Sequence, residues 1–246
     1  MLPFILLAVS AAPCEPVNGL MPLLKPGSVL FIGEIHGTNE SPAFVGRAAC
    51  LASGGNHSVT VALEIPKSES ARFERYLHST GRQADRDALL AGPFWTDSFQ
   101  DGRRSKAMLA LIDDLRMLKT VRVVLIDEPD ATSAKRDRDA VMADNLQTAV
   151  ELAPDDIFIV LTGNQHSRLA GTSMAQLFVR GMPRVNVSSL DVAFTNGSAW
   201  TCVSGDAADC GPHSLRGSGD GRGGRVEHGV YDVGTITASE PAVRRR

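Results

Sequence analysis

Two short Gly-x-x-His elements place acidic, amide and histidine side chains directly after apolar runs of the chain. The first, in VLFIGEIHG, contains Glu34 and His36, and the second, in IFIVLTGNQH, contains Asn164 and His166. Imidazole and carboxylate groups suit general acid/base chemistry or the binding of a divalent metal ion. The two elements could therefore form one reactive site, if the fold brings them together.

Apolar runs that alternate with helical segments indicate how the chain would place these residues. Most runs are continuous and rich in β-branched residues, which is typical of parallel strands covered on both faces. The predicted strands are 29–32, 59–63, 121–126, 157–161 and, more weakly, 185–190; the predicted helices are 41–52, 69–79, 105–119 and 136–152. This order predicts an α/β fold with a largely parallel sheet flanked by helices.

In such a sheet the carboxyl ends of the strands meet at one edge, where ligands bind. The second strand ends at Glu64 and the third at Asp127, so both acids are expected near His36 and His166. An acid at a strand end can instead cap the following helix, and for Asp127 that alternative stays open. We expect Glu34, His36, Glu64 and His166 to be catalytic, and His36, His166 and Glu64 to bind any metal ion.

The helix over 136–152 contributes two further candidates. Arg138 and Asn145 lie on one helix face, and Arg138 lies near the helix start, next to the same sheet edge. A guanidinium there would hold a carboxylate of the substrate or of the site itself. Arg138, Asn145 and Asn164 are therefore predicted to bind substrate, although an exposed charged first turn would also explain Arg138.

Other parts of the chain carry weaker signals. The third Gly-x-x-His copy, ending at His57, lies in a polar loop before a strand, so we expect it to be incidental. We predict a loop or short helices over 80–104, a mobile Gly-rich stretch over 204–225 and a returning edge strand over 230–239. The α/β domain is placed at 25–200, with 201–246 as a loop and return segment of the same domain.

Composition limits the classes of function. The 246 residues carry a formal charge of −3, which provides no field for nucleic acid. The apolar segment 1–12 is too short to span a bilayer and fits a signal peptide, so we expect no transmembrane span and a periplasmic or secreted protein. A buried N-terminal segment is the alternative. Of the four cysteines, Cys202 and Cys210 enclose a short polar loop and form the expected disulfide.

The segments GEIHGTNE, VALEIP, RDRDAVMADN and LTGNQH, in this order, resemble the superfamily of Tiki-type proteases, erythromycin-esterase-like hydrolases and haem-binding iron-regulated lipoproteins. The Tiki resemblance implies a metal-dependent site on His36 and His166, with Glu34 and Glu64 as acidic partners. The esterase resemblance implies that His36 activates water and that Glu34 or Glu64 orients it.

Besides a catalytically silent domain whose polar cluster is purely structural, two hypotheses follow. The first is an exported hydrolase that cleaves an ester or amide bond of a small-molecule or peptide substrate, with or without a divalent metal ion. The second is a non-catalytic protein of the cell envelope that binds haem or another metal complex, with His36 or His166 as axial ligand.

Overall fold

The structure is a computed structural model that describes residues 14–55, 57–128, 137–221 and 223–243. The predicted signal peptide lies outside the described residues. Within them, no helix is long and apolar enough to cross a membrane.

A mostly parallel seven-stranded sheet forms the centre of the fold, with strand order β3-β2-β4-β1-β5-β9-β8. The first six of these strands run parallel to their neighbours, and only the β8–β9 pair is antiparallel. The strands are β1 (Ser28–Glu34), β2 (Val59–Pro66), β3 (Val121–Asp127), β4 (Ile157–Gly163), β5 (Asn186–Ala193), β8 (Arg225–Glu227) and β9 (Val230–Asp232). The predicted α/β class and all five predicted strands are confirmed.

Helices cover both faces of this sheet. They are α1 (Glu40–Ser53), α2 (Ser70–Leu77), α3 (Gln83–Leu90), α4 (Pro93–Thr96), α5 (Lys106–Met117), α6 (Arg138–Leu152) and α7 (Met174–Gly181). Helices α1 and α2 both contact α5, whereas α6 contacts α7. The stretch 80–104 therefore contains two short helices, as predicted, and its remainder is a loop that leads into α5.

Alternate residues of the central strands supply two separate apolar layers, because successive side chains point to opposite faces of a sheet. In β4, Ile159 packs into the layer that contains Phe44 and Phe73, while Val160 packs into the layer that contains Phe178. Both faces of the strand are therefore buried, which explains why the run is apolar without alternation.

A second, three-stranded sheet has the order β10-β6-β7 and consists of β6 (Asn196–Cys202), β7 (Cys210–Arg216) and β10 (Thr235–Ile236). The prediction of a mobile stretch over 204–225 is thus wrong for residues 210–216, which form strand β7 and pair with β6 along seven residues. The predicted edge strand over 230–239 is also different: β9 lies inside the large sheet, β8 covers it, and β10 joins the small sheet. The glycines and aspartates on either side of β7 concealed the alternation of partly buried and exposed residues within it.

Two disulfides join described cysteines. Cys202–Cys210 closes the β6–β7 hairpin and confirms the predicted pair, while Cys14–Cys50 ties the start of the described chain to α1.

Because both faces of β4 are buried, shortening one of its side chains should lower the free energy of unfolding. We expect Val160→Ala to lower the free energy of unfolding by about 1–3 kcal/mol, because Val160 is fully buried and the lost methyl groups leave a cavity. The matched control Val203→Ala, at a residue 67% exposed, should change it by less than about 0.5 kcal/mol. Equal effects in urea unfolding would contradict this packing.

Candidate functional site

The carboxyl ends of four adjacent strands bring polar side chains to one edge of the sheet. In register, Glu34 of β1 lies beside Gly163 of β4, and Leu63 of β2 lies beside Leu161 of β4. Glu64 therefore follows at the same level. Strand β3 ends at Asp127, which is fully buried. His57 is exposed and precedes β2, at the opposite edge.

The carboxylate of Glu64 lies at the centre of this cluster and contacts both histidines. Its Oε2 lies 3.6 Å from Nε2 of His36, and its Oε1 lies 3.9 Å from Nε2 of His166. Oε2 also accepts a 2.8 Å hydrogen bond from the main-chain N–H of Gly163. His36 and His166, 130 residues apart in the chain, therefore share one carboxylate.

Gly163 makes this approach possible. A methyl group at its Cα would lie 3.0 Å from Nε2 of His36 and 3.6 Å from Cδ2 of His166. Any larger residue would push against His36, so the glycine leaves room for the ring.

Glu64 is ionised, although it is only 5% exposed. Burial alone would raise its pKa. Nearby charge outweighs this and lowers the pKa of Glu64 to about 2, through His36, Arg103, Arg138 and His166 in that order. A carboxylate with so low a pKa stays deprotonated at neutral pH, so Glu64 does not act as an acid or base. Its negative charge instead attracts the surrounding histidine and arginine side chains.

Two arginines neutralise the buried acids. Arg138 donates from Nε and Nη2 to both carboxylate oxygens of Asp127, at 2.9 and 2.7 Å, and from Nη2 to Glu64 at 2.7 Å. Arg103 donates from Nη1 to Asp127 at 3.0 Å and from Nε to Asp101 at 2.9 Å. Such paired guanidinium–carboxylate contacts fix both position and charge.

The loop that carries Arg103 passes close to the loop that follows His36. Gly102 has a φ of +95°, and a methyl group there would lie 2.6 Å from the main-chain nitrogen of Gly37. The small sheet supports both loops, because the N–H of Trp200 donates to Gly37 O at 2.9 Å and its indole Nε1 donates to Gln100 O at 3.0 Å.

His36 forms a dyad with Glu34. Nδ1 of His36 lies 2.9 Å from Oε1 of Glu34, which is only 3% exposed. With Nδ1–H donating to Glu34, the lone pair of a neutral ring is on Nε2. No described residue donates a hydrogen bond to Nε2, and Oε2 of Glu64, which lies 3.6 Å away, is itself only an acceptor. Nε2 is therefore able to accept a proton from another molecule.

The surroundings also change the pKa values of this dyad. Burial raises the pKa of Glu34, although His36 opposes the change. Burial alone would lower the pKa of His36, but the charges of Glu64 and Glu34 and the Glu34 hydrogen bond raise it above 6.5. His36 is thus a stronger base than a free imidazole.

His166 is held differently. Its Nδ1 lies 2.6 Å from Oδ1 of Asp139, and its Nε2 lies 3.2 Å from Nη1 of Arg138. Because a guanidinium only donates, Nε2 accepts from Arg138 and Nδ1–H donates to Asp139. Both ring nitrogens are therefore occupied, in contrast to His36.

The expected metal ligands do not fit a divalent cation in this arrangement. The guanidinium of Arg138 contacts both Nε2 of His166 and Oε1 of Glu64, the atoms that would face the ion. A cation bound between these two atoms would be repelled by the positive charge of Arg138, which lies within hydrogen-bond distance of both. In the described part of the chain, no group of three or more His, Cys, Asp or Glu side chains is arranged to hold a metal ion.

The predicted substrate-binding residues lie in different places. Arg138 is in the cluster, and the main-chain N–H of Asn164 donates to Glu34 O at 2.9 Å. Asn145 is not brought to the cluster: its amide donates to Ile126 O at 2.9 Å and accepts from Lys67 at 3.0 Å. Two helical turns separate it from Arg138, a rise of about 10 Å along α6.

Sequence reasoning missed Arg103 and Asp139 as site residues. Arg103 lies in an aperiodic loop and not at a strand end, so no pattern pointed to it. Asp139 belongs to the charged first helical turn, which from the sequence is only the alternative explanation for Arg138. Its position next to Arg138, at the start of α6, could have indicated that it belongs to the site, because both residues lie near the carboxyl ends of the strands.

No protein-family model matches the chain, and no curated protein matches it significantly. Solved structures do match in fold. A succinoglycan biosynthesis protein has a TM-score of 0.62 at 11% identity, over 92% of this chain and 93% of that chain. A histidine-to-asparagine mutant of the erythromycin esterase EreC, in its open conformation, has a TM-score of 0.59 at 12% identity, over 81% and 78%. A Bacillus cereus protein has a TM-score of 0.55 at 10% identity, over 91% and 92%.

These likenesses concern the fold, because the identities are low. They show that the chain shares its fold with these proteins, one of which is an erythromycin esterase.

The His36–Glu34 dyad predicts a specific titration. In NMR spectra the ring of His36 should titrate with a midpoint above 6.5, and Glu34→Gln should lower that midpoint, because it removes a negative charge and the charged hydrogen bond. Glu15→Gln, at a glutamate 72% exposed, is the control and should leave the midpoint unchanged. An unchanged midpoint in Glu34→Gln would contradict the dyad.

Proposed function

We propose that this chain is an exported hydrolase that cleaves an ester or amide bond of a small-molecule or peptide substrate, with His36 as the general base. The observation that carries the proposal is the dyad: a carboxylate holds Nδ1 of His36, and Nε2 has no hydrogen-bond partner among the described residues. The same constellation, a histidine oriented by an acid, activates nucleophiles in unrelated hydrolases.

The reaction begins with a water molecule next to Nε2 of His36. Nε2 takes one proton from the water molecule while the water oxygen attacks the carbonyl carbon. The electron pair of the C=O π bond moves onto the carbonyl oxygen. Glu34 stabilises the resulting imidazolium. When the tetrahedral intermediate collapses, the bond to the alkoxide or amine breaks, and Nε2–H of His36 returns the proton to that leaving group.

Arg138 is the group best placed to stabilise the oxyanion. Four of its contacts are to Asp127, Glu64 and His166, which use Nε, both hydrogens of Nη2 and one hydrogen of Nη1. Among the described residues, one N–H of Nη1 has no acceptor and can donate to a substrate, and the side chain is 29% exposed. A fixed donor aimed at developing charge is an effective catalytic element.

Export is supported by the N-terminal apolar segment and by the two disulfides, because structural disulfides persist in oxidising compartments. The fold likeness to an erythromycin esterase supports hydrolysis as the reaction class.

The decisive test is hydrolysis of a panel of p-nitrophenyl esters and amide substrates. We expect turnover by the wild type and a loss of about 10²–10⁴-fold in kcat/KM in His36→Asn, because the base is removed. The control His228→Asn changes a histidine that is 91% exposed and should retain full activity.

The same assay distinguishes the remaining hypotheses. Activity should survive removal of metal ions with a chelator, since Arg138 fills the position that an ion would need. A stoichiometric divalent ion that disappears in His166→Ala, together with loss of activity on chelation, would show a metal-dependent site instead. A ligated-haem absorption band that His36→Ala abolishes, with no turnover of any substrate, would favour the haem-binding alternative.

A further inference from the structure

Strand β3 is the outermost strand of the large sheet, and its long outer side is not paired with another strand among the described residues. The seven-stranded sheet ends at this strand, which pairs with β2 on one side and with no other strand among the described residues. Its seven residues span about 23 Å. Along such an edge, alternate N–H and C=O groups point outward without a partner, which provides a template for another strand.

The open edge lies at the bottom of a groove. Helix α6 forms one wall, and α2 with the end of α5 forms the other, around a cavity of about 790 Å³. Most of the lining is apolar, and it includes Leu152, which is 82% exposed. The main apolar lining residues are Phe73, Leu77, Leu115, Leu118, Val123 and Leu152.

The strand lacks the features by which proteins usually protect an edge. Within β3 there is no proline, and Arg122 is its only charged residue before the terminal Asp127. Val121, Val123 and Val124 are only partly buried. Natural edges are normally blunted by prolines, charges or covering elements, so a long apolar edge in a groove is typical of a binding surface.

The charges around the groove indicate what would bind. Four basic side chains line it, against one acidic side chain, Glu74; the basic residues are Lys67, Arg116, Arg122 and Lys119. Lys67 and Arg122 already contact acids, Glu128 and Asp156 respectively, whereas Lys119 is exposed. An acidic occupant complements this rim. A second copy of the chain would bring the same basic side chains toward it.

We propose that the β3 groove binds an extended peptide segment that adds to the sheet as an eighth strand, with apolar residues at alternate positions and acidic residues at its ends. Main-chain hydrogen bonds to β3 would provide affinity, and the apolar walls and basic rim would provide selectivity. This inference is independent of the proposed hydrolysis, because no histidine of the cluster lines the groove.

Fluorescence anisotropy with the full chain tests the proposal. The probe is a fluorescein-labelled seven-residue peptide that alternates valine and threonine between terminal glutamates. We expect saturable binding, weakened at least about tenfold when lysines replace the glutamates or when alternate amides are N-methylated. Leu152→Glu and Lys119→Glu should each weaken binding at least about tenfold, since both introduce an acid at the groove. Leu169→Glu, at a residue 44% exposed and outside the lining, should not.

Three results would overturn the proposal. The first is no saturable binding of the glutamate-ended peptide up to a concentration of about 1 mM. The second is equal binding by the wild type and both groove variants. The third is a dimer in sedimentation experiments that Leu152→Glu dissociates, because the edge would then bind a second copy of the chain.

Discussion

The candidate site depends on a buried carboxylate that stays ionised. Removing a charge from water costs several kcal/mol, and only close partners of opposite charge and good hydrogen bonds offset that cost. Glu64 has both, from Arg138 and from the N–H of Gly163. Because its folded pKa is lowered, the stability it contributes is present above about pH 4.5 and is lost as the pH falls toward 2. Removing Glu64 would take one carboxylate from Arg138 and Arg103, and Asp127 would remain as the acceptor that both guanidiniums share.

This arrangement gives the two histidines different capacities, although their sequence motifs are alike. Both rings lie near Glu64 and both have an acid on Nδ1, Glu34 for His36 and Asp139 for His166. The difference is Arg138, which donates to Nε2 of His166 and leaves Nε2 of His36 without a partner among the described residues. The arginine therefore determines which histidine is available as a base.

Much of the fold could be predicted from the sequence, because buried parallel strands are continuous apolar runs and their carboxyl ends must meet at one edge. That rule located His36, Glu64 and His166 in one region, and the position of Arg138 at the start of a helix placed it next to the same strand ends. It could not locate Arg103, whose loop is positioned by contacts with Gly37 and Trp200 that are distant in the chain. Asn145 was misplaced because helix periodicity gives a face and not a distance along the axis. The sequence also could not predict which ring nitrogens are occupied, since that depends on side-chain distances of tenths of an ångström.

The site requires that Glu64 is a buried carboxylate, ionised at neutral pH, between two histidines and two arginines. Carbon-13 NMR of the labelled glutamate carboxyl groups, followed as a function of pH and assigned by comparison with Glu64→Gln, measures this directly. We expect the Glu64 carboxyl to stay ionised down to acid pH and to titrate with a pKa of about 2. A pKa at or above the ordinary value of 4.5 would contradict it, because the carboxyl would then lack the charged partners on which the site is built.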